Sequence, residues 1–272
     1  MEDFTIAIYC FLDDYLHIIG KKASPQRKCS DAEIITTAII AAQYFGGNYT
    51  TARLYLSEAH GVNYPDKSNF SRLLNRLSET ISSIFIGFGQ CIKEWNIESE
   101  YLIDSFPVAV CKNIRIPRCK LLRNEAYRGK NTSKREYFYG FKVQVITTKD
   151  GVPVEYFLSA GSYADITAFQ SMNIGLPSGS KLYADSGYTD YDLEDCYREI
   201  DLIDLQVVRK SNSKRKDHPA AALWKNAMRK RIEITFSEIT NLFPKKIHAI
   251  TPQGFILKIV LFIFAFTLKK IF

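Results

Sequence analysis

The sequence has no Cys-x-x-Cys pair and no His-x-x-x-His spacing, so its six cysteines, Cys10, Cys29, Cys91, Cys111, Cys119 and Cys196, do not assemble a zinc set with its four histidines. Scattered cysteines of this kind read as reduced thiols of a cytoplasmic protein. No secretory leader is expected from the opening stretch either: MEDFTIAIYCFLDDYLHIIG opens with acids and carries charges inside its apolar part. No apolar run is long enough to span a bilayer. The nearest candidate, FILKIVLFIFAFTL at residues 255–268, has 14 residues and includes Lys258, whereas a spanning helix needs about 20 apolar residues. A buried helix is expected there, and no membrane.

What is present is a chain of 272 residues, 46% hydrophobic, enough for a large core with one or two domains. Its net charge of +7 is shared unevenly. Residues 1–100 hold 9 Lys+Arg against 12 Asp+Glu, and the rest hold 27 against 17. Two stretches concentrate the excess: residues 111–135 and residues 209–231 each contain nine bases and one acid. Basic blocks flanking acidic residues point to a polyanionic partner.

To about residue 97 the pattern is helical. SDAEIITTAIIAAQYF opens with a capping box, Ser30 with Glu33, and continues at helical spacing. NYTTARLYLSEAHGVNYPDKSNFSRLLNRL follows as two short helices around a Gly61–Pro65 turn, the second carrying Arg72 and Arg76. This is a helix-turn-helix-like pattern that suits end binding or dimerisation, and it equally suits a small helical bundle. From residue 100 the period changes. EYLIDSFPVAVC reads as a strand, and YFYGFKVQVITTKDGVPVEYFLSA as two strands joined at Lys149-Asp150-Gly151. A helix at about 164–173, the strand KLYADS, the helix DYDLEDCYREI and the strand DLQVV come next. A basic loop at 209–220, a helix from about Ala221 to Phe243 and the apolar helix close the chain. The expected organisation is a helical domain at 1–97 and an α/β domain at 98–272, a mixed sheet flanked by helices. This element order resembles the ribonuclease H-like fold, in which carboxylates on the first strand, the fourth strand and a late helix converge on metal.

Three acids occupy those places: Asp104 in LIDSFP, Asp185 in YADSGY and Glu233 in RKRIEITFSEI. An aspartate at a strand end is by itself an ordinary turn former or helix cap. Acids at the ends of two adjacent strands with a third from a facing helix are a different matter, because together they can hold two divalent ions. An oxygen-only donor set suits Mg²⁺ or Mn²⁺. Such ions activate a water or a DNA 3′-hydroxyl and stabilise the leaving oxygen of an in-line phosphoryl transfer. Ile232, Ile234 and Phe236 are expected to crowd Glu233, with Arg229 one turn back on the same face.

IDSFPVAVCKNIRI, YFYGFKVQVI, ADSGY and RKRIEITFSEITNLFPKKIHAITPQGF resemble segments of bacterial insertion-sequence transposases of the DDE type, most closely the insertion sequence 982 family. The resemblance spans nearly the whole chain. It implies a DNA transposase that cuts at the terminal inverted repeats of a mobile element and joins the 3′ ends to target DNA. The implied triad is Asp104, Asp185 and Glu233, the implied cofactor two Mg²⁺ or Mn²⁺ ions, and the implied assembly at least a dimer on double-stranded DNA at the bacterial nucleoid. In related transposases a Tyr-Arg-Glu-Lys signature surrounds the last acid. Arg229 and Glu233 keep its Arg-to-Glu spacing, whereas Asn226 and Thr240 stand at the Tyr and Lys positions, and Glu238 is a second candidate for the third acid.

Several bases then acquire roles as phosphate contacts. Lys112, Arg115, Arg118, Lys120 and Arg123 follow the first catalytic strand, and Lys210, Lys214, Arg215 and Lys216 precede the Glu233 helix. Lys142 on the neighbouring strand, a position that equally suits a solvated side chain, and Arg229 join them. Tyr188 and Trp224 are candidates for stacking on unpaired bases, although aromatic residues at such positions more often pack in the core. A nuclease that cuts without joining, or a transposase-derived protein that only binds DNA, would use the same surfaces.

Overall fold

The computed structural model describes residues 1–21, 27–131 and 135–272. The chain divides into two compact units, Met1–Gly87 with Asn241–Phe272, and Phe88–Thr240.

The first unit is helical: α1 (Glu2–Ile18), α2 (Asp31–Tyr44), α3 (Tyr49–His60), α4 (Lys67–Arg76), the start of α5 (Ser78–Trp95) and, from the far end of the sequence, α9 (Pro252–Ile271). The capping box forms: Ser30 Oγ accepts from the Glu33 amide at 3.1 Å, and Glu33 Oε2 accepts from the Ser30 amide at 2.6 Å. From Ile34 to Ala42 every residue of α2 is buried, as is all of α9 from Ile259 to Leu268. A helix apolar all round needs partners on every side, and these two pack on each other. Residues 241–272 therefore join the N-terminal helices, whereas sequence reading assigned them to the α/β domain. Hydropathy marks α9 as buried without saying against what. No helix among the described residues is long and apolar enough to cross a membrane.

The second unit is built on a six-stranded mixed sheet of β1 (Glu100–Cys111), β2 (Arg128–Asn131), β3 (Glu136–Thr148), β4 (Pro153–Ala160), β5 (Lys181–Ala184) and β6 (Asp204–Val207). The order is β2-β3-β1-β5-β6, with β4 also paired to β3. β1 runs antiparallel to β3 and parallel to β5, which runs parallel to β6. The β3–β4 hairpin turns at Gly151, whose φ of +83° suits a residue without a side chain. Three helices accompany the sheet: α6 (Asp165–Gln170), α7 (Tyr191–Cys196) and α8 (Pro219–Leu242). α8 lies on β1 through an edge-to-face contact of Phe236 with Phe106, centroids 6.1 Å apart. Its first turns are tied down by Lys225, a buried ammonium that donates to Asp217 at 2.7 Å and to the Val207 carbonyl at 3.3 Å.

Candidate active site

The register of two short parallel strands positions the first two acids. Ile103 of β1 pairs with Ala184 of β5, so the next residues, Asp104 and Asp185, stand side by side where the β1/β5 pairing ends: Asp185 leaves β5, while Asp104 stays within β1, opposite Val145 of β3. β5 stops there because Asp185 caps a single helical turn, Ser186–Tyr188, accepting from the Ser186 amide at 2.6 Å. Asp104 accepts likewise from the Ser105 amide at 2.7 Å. The turn after Asp185 is anchored by Tyr188, which is buried and meets Phe169 edge-on at 5.5 Å. Tyr188 belongs to the core, the commoner place for an aromatic residue at such a position, and is not available to stack on a base. Burial, then the charges of Asp104 and Asp165, push its phenol well above the usual range, so it stays neutral beneath the carboxylates.

Glu233 comes from α8, and its side chain is 61% exposed, with Arg229 Nε 3.2 Å from its Oε1. The apolar crowding expected around it does not occur: Ile232 and Phe236 turn inward, while Ile234 is exposed beside it. Glu238 shares this open face of α8 with Lys230, Glu233, Ile234 and Ser237. The electrostatics of Asp104 register the charges of the other acids. Burial first, then the negative charges of Asp165, Asp185 and Glu233, raise its pKa to about 7 against the lowering effect of the Ser105 amide. Carboxylates that repel one another in a half-buried site, with no thiol or imidazole among them, have the donor chemistry of a hard divalent cation. Among the described residues, no three such side chains already stand close enough to hold an ion between them.

Asp165 is the member of this cluster that sequence reading missed. It opens α6, accepts from the Ser105 hydroxyl at 2.5 Å and lies 3.2 Å from the Lys142 ammonium. Its only sequence signal is an aspartate at the start of a short apolar helix, which any helix N-terminus also shows.

The basic candidates fall into two sets. Lys112, Arg115, Arg118, Lys120, Arg123, Lys210, Lys214 and Lys216 are exposed; residues 132–134 of the first basic stretch lie outside the described residues. Others are engaged within the protein. Lys142, with a side chain 14% exposed, donates to the Tyr163 carbonyl at 2.8 Å as well as facing Asp165. Arg215 forks onto Asp195 at 2.7 and 2.6 Å and lies 4.9 Å from the centre of the Tyr191 ring. Arg229 pairs with Glu233. Arg209 is paired with the buried Glu194, so part of the second basic block serves the fold. Trp224 is half exposed, and its indole N–H donates to the Tyr183 hydroxyl at 2.8 Å.

A family model described as a transposase DDE domain matches residues 96–249, more than half of the chain, and takes in all four acids and both basic stretches. Comparison with curated proteins and with solved structures finds no match.

Proposed function

Since the chain belongs to the transposase DDE-domain family, with DNA as the substrate that family implies, we propose that it cleaves DNA strands at the terminal inverted repeats of a mobile element and joins the 3′ ends to target DNA. The observation that carries this reading is the β1/β5 register, which sets Asp104 and Asp185 side by side where the charge of Glu233 is also felt. The strand order, with an antiparallel β3 beside β1, supports a ribonuclease H-like catalytic core. The insertion sequence 982 family is the branch favoured by the sequence motifs.

In this reading Asp104, Asp185 and Glu233 hold divalent ions, Mg²⁺ or Mn²⁺. When bound, two such ions activate the attacking hydroxyl and offset charge on the leaving oxygen. The protein's own part is to position. The Ser105 and Ser186 amides orient the carboxylates of Asp104 and Asp185, and Arg229 braces Glu233. The exposed bases after β1 and before α8 grip phosphates and set the register of the DNA without reading its sequence. Two element ends must be held together, so a dimer or larger assembly on double-stranded DNA is proposed, acting in the cytoplasm.

The experiment is cleavage of a plasmid carrying the gene's own flanking DNA, with Mg²⁺, with EDTA and with Asp185→Ala. Nicking at the element ends that needs both the metal and Asp185 is the expected result. Cutting that survives the substitution would make Asp185 a turn former and overturn the triad. Cutting without any joined product would reduce the activity to that of a nuclease.

A further inference from the structure

Asp165 has no assigned part in the triad, yet the site is built around it. Its Oδ1 accepts from the Ser105 hydroxyl at 2.5 Å and faces Lys142 Nζ at 3.2 Å, and its backbone carbonyl accepts from Gln144 Nε2 at 2.8 Å. Gln144 is fully buried and stands opposite Ser105 in the β1/β3 register, while Lys142 stands opposite Pro107. Gly187, in the turn after Asp185, offers a hydrogen where a Cβ would lie 3.6 Å from Asp165 Oδ2. Asp165 thus touches the strand that carries the first acid and approaches the turn that carries the second.

Strand geometry decides what it can do there. Side chains alternate between faces along a strand. Ser105 therefore shares one face with its register partner Gln144, and Asp104 and Phe106 take the other, where α8 lies against Phe106. Asp165 reaches the Asp104 neighbourhood from the face opposite to Glu233, and its hydrogen bond goes to the residue whose amide holds the Asp104 carboxylate at 2.7 Å. Resting on the transposase reading, we infer that Asp165 is a positioning residue: through the Ser105 hydroxyl it fixes the amide that orients Asp104, with Lys142 as its counter-ion. Lys142 is then an internal partner of the site and not a DNA contact.

The test is a double-mutant cycle between Asp165→Ala and Ser105→Ala in the full chain, with Asp165→Asn alongside. The readouts are metal-dependent nicking of the flanking DNA and Mn²⁺ affinity by calorimetry. Asp165→Ala is expected to slow nicking at saturating DNA about tenfold or more with half-saturation by DNA within about twofold, because orientation at the reacting centre is lost and DNA grip is not. The double variant is expected to be no slower than Asp165→Ala alone. Asp165→Asn keeps an oxygen for the Ser105 hydroxyl and is expected to recover at least about a third of the rate, with Mn²⁺ affinity within about threefold of the unaltered protein. If Asp165→Asn is as slow as Asp165→Ala and loses Mn²⁺ affinity more than about tenfold, the carboxylate is an ion ligand, and the positioning role is overturned. Losses that multiply in the double variant overturn it too, since Ser105 is then not the route. If Asp165→Ala does not fold, Ser105→Ala and Asp165→Asn carry the comparison: a slow Ser105→Ala beside a fast Asp165→Asn supports the role, and the reverse order overturns it. If the unaltered protein cuts no DNA, the transposase reading is what has failed, and the cycle is read in thermal unfolding of the metal-free protein. There, non-additive shifts uphold the Ser105–Asp165 anchor and additive ones overturn it.

Discussion

At pH 8 and without an ion, Asp104 is ionised where burial and the charges of Asp165, Asp185 and Glu233 all oppose ionisation. Its folded pKa of about 7 lies above the ordinary 3.8, so between these values the folded protein holds a proton that the unfolded chain has released. Stability from this group therefore falls as pH rises from about 4 to about 7 and is flat beyond, by at most about 4 kcal/mol. The metal-free protein is expected to melt higher at pH 5 than at pH 8 through this contribution, and Asp104→Asn should shrink the difference while raising the melting temperature at pH 8. Thermal denaturation of both proteins at the two pH values checks it. An unchanged pH dependence in the variant would place the strain elsewhere. Mn²⁺ binding displaces the same proton, so its stabilising effect should grow from pH 6 to pH 8 in the unaltered protein.

Elements that announce themselves by local chemistry were readable in advance, and those made by long-range packing were not. The Ser30–Glu33 box and the Asp150-Gly151 turn are local, and both form as the sequence indicates. β2 was not anticipated, because Arg-Gly-Lys-Asn has no β-branched or aromatic residue. It forms by pairing with β3, and Gly129 within it lets the backbone at Gly161 approach: a Cβ there would lie 2.1 Å from the Gly161 carbonyl oxygen. Asp165 was unreadable for a similar reason, since its partners Ser105 and Lys142 are 60 and 23 positions away in sequence. The two local signals differ in expected weight. Ser30→Ala removes one cap and should cost about 1 kcal/mol. Gly151→Ala must place a side chain at φ +83° with its Cβ 2.9 Å from Thr235 Oγ1, joining backbone strain to a clash between the hairpin and α8, and should cost about 2 kcal/mol or more. Urea unfolding midpoints separate the two, and a Gly151→Ala protein as stable as the parent would show that the turn relaxes freely away from α8.

At the scale of the whole molecule, the charge division acquires a direction. The helical start is net negative and the excess of bases begins after β1, in the same unit as the acids that would do the chemistry. Non-specific affinity for DNA rests on phosphate contacts and falls with salt, with a slope of about −0.9 per phosphate neutralised. Exposed Arg115 and Lys120 should each contribute to that slope, whereas Arg215, whose guanidinium is already forked onto Asp195, must first give up that pair. The double variant Arg115→Ala/Lys120→Ala is therefore expected to lower the slope by about two and leave the melting temperature nearly unchanged, and Arg215→Ala to change the slope less than either base alone. Fluorescence anisotropy of a labelled duplex across a salt series measures it. If Arg215→Ala has the largest effect, the loop before α8 is the main DNA grip and its contact with Asp195 is broken on binding; if none of the three changes the slope, the DNA lies along a different face from the one the basic stretches define.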